Sequence, residues 1–161
     1  MIVVSDTTPL ISLLKVNRLD LLERLFSTVH IPQGVFDELN AKQEFVREAE
    51  QIRSCAFIHI HEVNAQAVKL LQRATRLDLG ESEAIVLADT LGADLTILDD
   101  GNARRVAMLE GMNITGTVGV LGKAYTKGFL TADELRRCVE VLRTSKRYIS
   151  ESLLNRLLAM V

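Results

Sequence analysis

The chain has 161 residues, of which 48% are hydrophobic and 25% charged, a composition that leaves room for a buried core and excludes disordered and fibrous classes. A net charge of −2 offers no bulk attraction to nucleic acid. The longest stretches free of Asp, Glu, Lys and Arg, residues 25–36 and 111–122, are too short to span a bilayer, which takes about 20 apolar residues, and the second is rich in glycine.

No basic segment precedes Asp6, so no signal peptide is visible and a cytoplasmic location is expected. Cys55 and Cys138 lie far apart without metal-type spacing, which favours free buried thiols. Charge is unevenly placed: residues 1–122 carry 11 basic and 17 acidic side chains, residues 123–161 carry 8 and 4. The basic tail reads first as the solvated face of terminal helices and second as a track for a phosphate backbone.

Ile2-Val3-Val4 is the pattern of a short strand buried on both faces of a parallel sheet. It delivers Asp6 to its carboxyl edge, where ligands bind in open α/β sheets. Thr8 fits an N-cap and Pro9 the first helical position. Apolar spacing then gives two short helices in tandem, interrupted near Asn17, followed by a strand over 28–31 and a helix that begins at Pro32. On that helix Glu38 follows Val35 by three residues and projects from the edge of the packed face. The polar run 40–53 continues as a charged surface helix.

Residues 56–63 alternate as an edge strand with one wetter face. His59 and His61 could share a metal there, but no third ligand follows at short spacing, and imidazoles that meet solvent are the favoured account. A helix over 65–74 and a loop over 75–80 lead to Gly80-Glu81-Ser82-Glu83-Ala84-Ile85, the start of a buried helix. Glu81 serves the helix dipole. Glu83, beside the apolar run, is drawn toward the interior. A strand over 95–98 ends in Asp99-Asp100, and Arg104 and Arg105 lie on the next helix. After a last strand, 113–115, the glycine-rich stretch from Gly116 matches neither nucleotide-binding loop pattern. It opens a helix, although amides there could hold one phosphate. Thr131 and Glu134 form a capping-box pattern, and a final helix ends near Leu158. Strands alternating with helices make a single α/β domain over residues 1–161, with about five parallel strands and terminal helices packed on it.

Asp6, Glu38, Glu83 and the pair Asp99-Asp100 therefore stand at or near one sheet edge. Clustered carboxylates repel one another, and a hard divalent cation relieves that repulsion. Mg²⁺ suits an open acidic pocket because it keeps several waters, whereas Zn²⁺ would want His or Cys among the ligands. Metal-assisted phosphodiester hydrolysis is the chemistry of such a pocket.

Val-Val-Ser-Asp6-Thr-Thr-Pro-Leu-Ile, Ile-Pro-x-x-Val-x-x-Glu38, Gly-Glu-x-Glu83-Ala-Ile, Leu-Asp99-Asp100-x-x-Ala-Arg and Gly-Thr-x-Gly-Val-Leu occur in the order found in PIN-like domains. More narrowly, the chain resembles a prokaryotic branch of that superfamily of unknown function, related to the VapC-type toxins, from Ile2 to about Leu158. The resemblance implies a twisted five-stranded parallel sheet between helices and a Mg²⁺- or Mn²⁺-dependent ribonuclease. It makes Asp6, Glu38, Glu83 and Asp100 the catalytic acids, with Asp6, Glu83, Asp99 and Asp100 toward the metal. Asp99 is extra to the family pattern, and Glu83 is one methylene longer than the Asp more common in the toxins. Thr7, Thr117 and Arg104 are expected at the RNA substrate. Relatives of the toxin type are held inactive by an antitoxin from a neighbouring gene and are commonly homodimers, here through the early leucine-rich helices or the terminal ones. The rival from another class is a PIN-like binding module that does no hydrolysis. An aspartyl-phosphate phosphatase ranks last, because Thr8 stands where a second acid belongs.

Overall fold

The computed structural model describes residues 1–145 and 149–161; Lys146 and Arg147 of the basic tail lie outside these. Five parallel strands, β1 (Val3–Ser5), β2 (Val29–Pro32), β3 (Ile58–His61), β4 (Leu95–Ile97) and β5 (Ile114–Thr115), form one sheet in the order β3-β2-β1-β4-β5. The chain runs outward from β1 to β3 and then returns to the other side of β1. This makes the β1/β4 boundary the switch point at which such sheets open a crevice.

The branched residues of β1 explain its central place. Val3 and Val4 are both fully buried, but they belong to different apolar clusters, one on each face. Val3 packs with Leu10, Leu21 and Leu22 of helices α1 (Thr7–Lys15) and α2 (Asp20–Phe26), and with Leu121 of α8 (Thr117–Thr126). Val4 packs with Ile85 and Leu87 of α6 (Leu79–Leu91) and Ala103 of α7 (Gly101–Leu109). Helices α9 (Ala132–Thr144) and α10 (Glu151–Leu158) pack against one another and against α8. Arg136 pairs with Asp133, and Arg143 with Glu140 and Glu151, so part of the basic tail is spent on helix-surface pairs.

Three local expectations change. Asp6, not Thr8, is the N-cap of α1, and Pro9 is the third helical residue, a place that still costs no intrahelical N–H bond. The run expected as one surface helix is broken: α3 (Gln33–Ala41) ends, a 3-10 turn occupies Gln43–Phe45, and α4 (Val46–Arg53) follows. The segment 75–80 is not all loop, because α6 already starts at Leu79 after an Asp78 N-cap. The remaining helix is α5 (Ala65–Thr75). β3 is the edge strand expected, but only His59 meets solvent fully. His61 Nε2 lies 2.7 Å from His30 Nδ1 across the β2–β3 pair, and burial and the neighbouring imidazoles hold His30 below its usual value. Both cysteines are free, Cys138 buried and Cys55 half-buried. No helix among the described residues is long and apolar enough to cross a membrane.

Candidate functional site

A polar cleft of about 230 Å³ opens beyond the end of β1, lined by Asp6, Thr7, Glu38, Asp78, Gly80 and Glu81 among others. Its residues come from three places in the chain. Asp6 leaves β1 as the N-cap of α1, yet its side chain makes no capping hydrogen bond and is turned into the cleft. Glu38 is on the second turn of α3. Asp78 and Glu81 form a reciprocal capping box at the start of α6: Asp78 Oδ1 accepts the Glu81 N–H at 2.8 Å, and Glu81 Oε2 accepts the Asp78 N–H at 3.2 Å.

Gly80 makes the convergence possible. A Cβ at this position would lie 3.3 Å from Glu38 Oε2, 3.4 Å from Asp6 Oδ1 and 3.8 Å from Asp78 Oδ1. Three carboxylates thus surround one side-chain-free backbone position, and glycine leaves the space between them open. Lys42 is the cleft-lining cation among the described residues; it is half exposed and sits 3.6 Å from Glu38 Oε1, so the acids deeper in the cleft have no basic neutraliser there.

The electrostatic consequence falls on Asp6, only 6% exposed. Burial first, and then the charges of Asp78, Glu81 and Glu38, push its carboxyl up to about 7 against help from the Thr7 amide. Glu81 is also raised to about 7, by burial and by Asp78, with lesser pushes from Asp100 and Glu38. An acid held far above its ordinary value by burial first and by neighbouring acids second marks a place where a cation would be welcome.

The residues fit such a cation. The donors are all carboxylate oxygens, the set preferred by Mg²⁺ and Mn²⁺. The buried Thr7 hydroxyl, which lines the same cleft, has no hydrogen-bond partner and can serve a water or a phosphate oxygen. Among the described residues no three Asp, Glu, His or Cys side chains close into a finished metal cage. A cation in this cleft would complete its coordination with water.

Not every expected residue is here. Asp6, Thr7 and Glu38 are brought together. Glu83 is not with them: its carboxylate faces Gly34 at the start of α3, whose N–H donates to it, and it borders a different cavity. The physical reason is the helix. Residues two apart on α6 point about 200° from one another, so the helix that turns Glu81 into the cleft turns Glu83 away. Asp99 is engaged by Thr117, whose N–H and Oγ1 donate to it at 2.8 and 2.6 Å. It thereby supplies the cap that Gly116, the N-cap of α8, cannot, and Thr117 is fully buried in that role and not open to substrate. Asp100 is exposed, caps α7 through the Ala103 N–H at 3.0 Å, and touches the cleft only through its field on Glu81. Arg104 donates to the Leu98 carbonyl at 2.9 Å and borders a separate cleft with Arg156.

Asp78, expected in the loop, and Glu81, expected only to serve the helix dipole, both line the cleft. Their signal was legible: Asp-x-x-Glu before an apolar run is a capping-box pattern, which starts the helix at Asp78 and sets Gly80 and Glu81 in its first turn.

A model of the DUF3368 family, described as a PIN domain, matches residues 2–161, whereas no curated protein matches the chain. A match over nearly the whole chain agrees with the five-stranded parallel sheet, and the chain belongs to the DUF3368 family of PIN domains.

Proposed function

We propose that this protein is a Mg²⁺- or Mn²⁺-dependent ribonuclease, with Asp6, Glu38, Asp78 and Glu81 as its carboxylate set. PIN domains are in general nucleases that use divalent metals. What carries the reading for this chain is the convergence of Asp6, Glu38 and Asp78 on Gly80. A cation held by these carboxylates would polarise a phosphodiester and make water a better nucleophile at neutral pH.

The chain's own groups have separable tasks. Asp6, fixed by β1 and α1, offers a carboxylate that has already lost its water. Glu81 stands half-buried at a helix start, where burial and Asp78 raise its carboxyl to about 7, and a cation beside it would favour the charged form and draw it into the carboxylate set. Thr7 has a hydroxyl to give to a phosphate oxygen. Lys42, exposed at the rim, is free to exchange Glu38 for substrate phosphate.

A toxin-like role, with an antitoxin from a neighbouring gene and a homodimeric assembly, is part of this proposal. The leucines of α1 and α2 are mostly inside, so a dimer face would come from the terminal region, where Leu153 and Met160 are exposed. The second reading, a PIN-like module that binds without cleaving, draws on the lack of a finished metal cage among the described residues.

Calorimetric titration with Mn²⁺ beside a cleavage assay on a mixed RNA pool separates these readings. Wild type should bind Mn²⁺ and cut RNA, and Asp6→Asn should do neither while keeping its fold. Equal binding and equal cutting by both proteins would sink the nuclease reading; binding without cutting under any condition would put the module in its place.

A further inference from the structure

Helices α3 and α6 meet through a reciprocal arrangement. On α3, Gly34 and Glu38 are four residues apart and so lie on one face; on α6, Gly80 and Glu83 are three apart and do the same. Glu38 of α3 lies over Gly80 of α6, and Glu83 of α6 lies over Gly34 of α3. Each helix presents a glycine to the other's glutamate. Side chains at the two glycines would hold the helices apart, since a Cβ at Gly34 would overlap the Glu83 carboxylate and one at Gly80 would press on Glu38.

The two ends of this contact differ. At the Gly80 end Glu38 faces Asp6 and Asp78 across open space. At the Gly34 end Glu83 is 8% exposed and accepts the Gly34 N–H. That amide is among the first of α3, which have no partner within their own helix. Helix α3 cannot cap itself: its N-cap is Pro32, no side-chain cap is made, and its first turn has no acid. Glu83 supplies from α6 both the missing acceptor and the negative charge that a helix N-terminus favours.

We infer that Glu83 is a positioning residue that fixes the register of α3 against α6, and so sets Glu38 opposite Asp6, and is not one of the carboxylates of the cleft. A slip of one residue along α3 would carry Glu38 about 1.5 Å along the helix axis, enough to undo a convergence built on contacts of 3.3 and 3.4 Å around Gly80. The inference rests on the cleft being a cation site, but its first readout does not.

Three variants test it: Glu83→Ala, Glu83→Gln and Gly34→Ala. The readouts are amide hydrogen exchange over residues 33–38 and Mn²⁺ affinity by calorimetry. Glu83→Ala should speed exchange at Gly34 and Val35 about tenfold, leave the β1 and β4 amides unchanged, and weaken Mn²⁺ binding about tenfold. Glu83→Gln keeps a carbonyl acceptor of nearly the same shape, so it should recover most of both. Gly34→Ala should resemble Glu83→Ala, since it displaces the same carboxylate from the other side. The inference is overturned if protection of residues 33–38 is the same in all three variants as in wild type. It is equally overturned if Glu83→Gln loses Mn²⁺ as completely as Glu83→Ala, the behaviour of a direct ligand. If wild type binds no Mn²⁺, the cation reading fails by itself, and the exchange pattern still decides the role of Glu83.

Discussion

Asp6 and Asp99 follow neighbouring strands, β1 and β4, at the same edge of one sheet, yet their circumstances are opposite. Asp99 is satisfied: both its oxygens accept from Thr117, and it closes the start of α8. Asp6 is more deeply buried and far less well served, with one backbone N–H in its favour and three acids against it. A carboxylate whose bonds are all made stabilises a fold. One that is buried among like charges costs stability, and the cost is recovered when a cation binds. Sequence position alone does not separate the two cases; the partners do.

The comparison breaks if the two residues behave alike on mutation. Asp6→Asn should lower metal-dependent RNA cleavage roughly thousandfold, at the upper end of what one electrostatic contact contributes, whereas Asp99→Asn should leave the rate per folded molecule within about threefold. Single-turnover cleavage at one fixed Mn²⁺ concentration, saturating for wild type, reads both, and a similar loss in the two would show that satisfied hydrogen bonds do not exclude a role at the metal.

Stability against pH sharpens the contrast next. Between its ordinary value of 3.8 and its folded value of about 7, Asp6 holds its proton in the folded protein and has lost it in the unfolded chain. Stability contributed by this group is therefore present at low pH and lost as pH rises from about 4 to about 7. The upper bound is about 4 kcal/mol. Urea midpoints in chelator at pH 5 and pH 8 should fall with rising pH for wild type, fall much less for Asp6→Asn, and recover at pH 8 when Mn²⁺ replaces chelator. A flat wild-type profile would mean that water reaches Asp6 and the burial is illusory.

Asp99→Ala comes third. Removing the acceptor leaves the buried Thr117 hydroxyl and amide unpaired and should cost about 1–3 kcal/mol, seen as a lowered urea midpoint with no gain from metal. Metal-free Asp6→Asn should shift the opposite way, becoming slightly more stable than wild type at pH 8. The smallest effect is expected for Gly80→Ala. Alanine suits a helix better than glycine by roughly 1 kcal/mol, but the new methyl would press on Glu38 at 3.3 Å. Mn²⁺ should bind a few times more weakly, with a melting temperature within a degree or two of wild type. An unchanged affinity would show that the open space over Gly80 is wider than the cation needs.

Much of this was legible in the chain itself. Five short apolar strands and the helices between them follow from periodicity, and the family resemblance rested on ordered motifs; the sheet and the match over residues 2–161 agree with both. The parts of the site that could be read were those whose geometry is local. Asp6 had to emerge at a strand end, and Glu38 had to stand at the edge of a packed face. Glu83 and Asp99 could not be assigned in this way, because both complete a helix start far away in sequence, at Gly34 and Thr117. A short-range pattern does not show which distant amide lacks a partner.

Sequence by itself determined the alternation of elements, the burial of β1 and the arrival of Asp6 at its carboxyl edge, because strand and helix periods are properties of neighbouring residues. Those periods also fixed that Glu81 and Glu83 must face different ways. Which of the two looks into the cleft depends on how α6 is rotated about its own axis, and that was decided by packing against the sheet and α3, with Gly34 and Gly80 admitting one glutamate each. Periodicity measures angles within a helix; only its neighbours in space supply the zero from which those angles are counted.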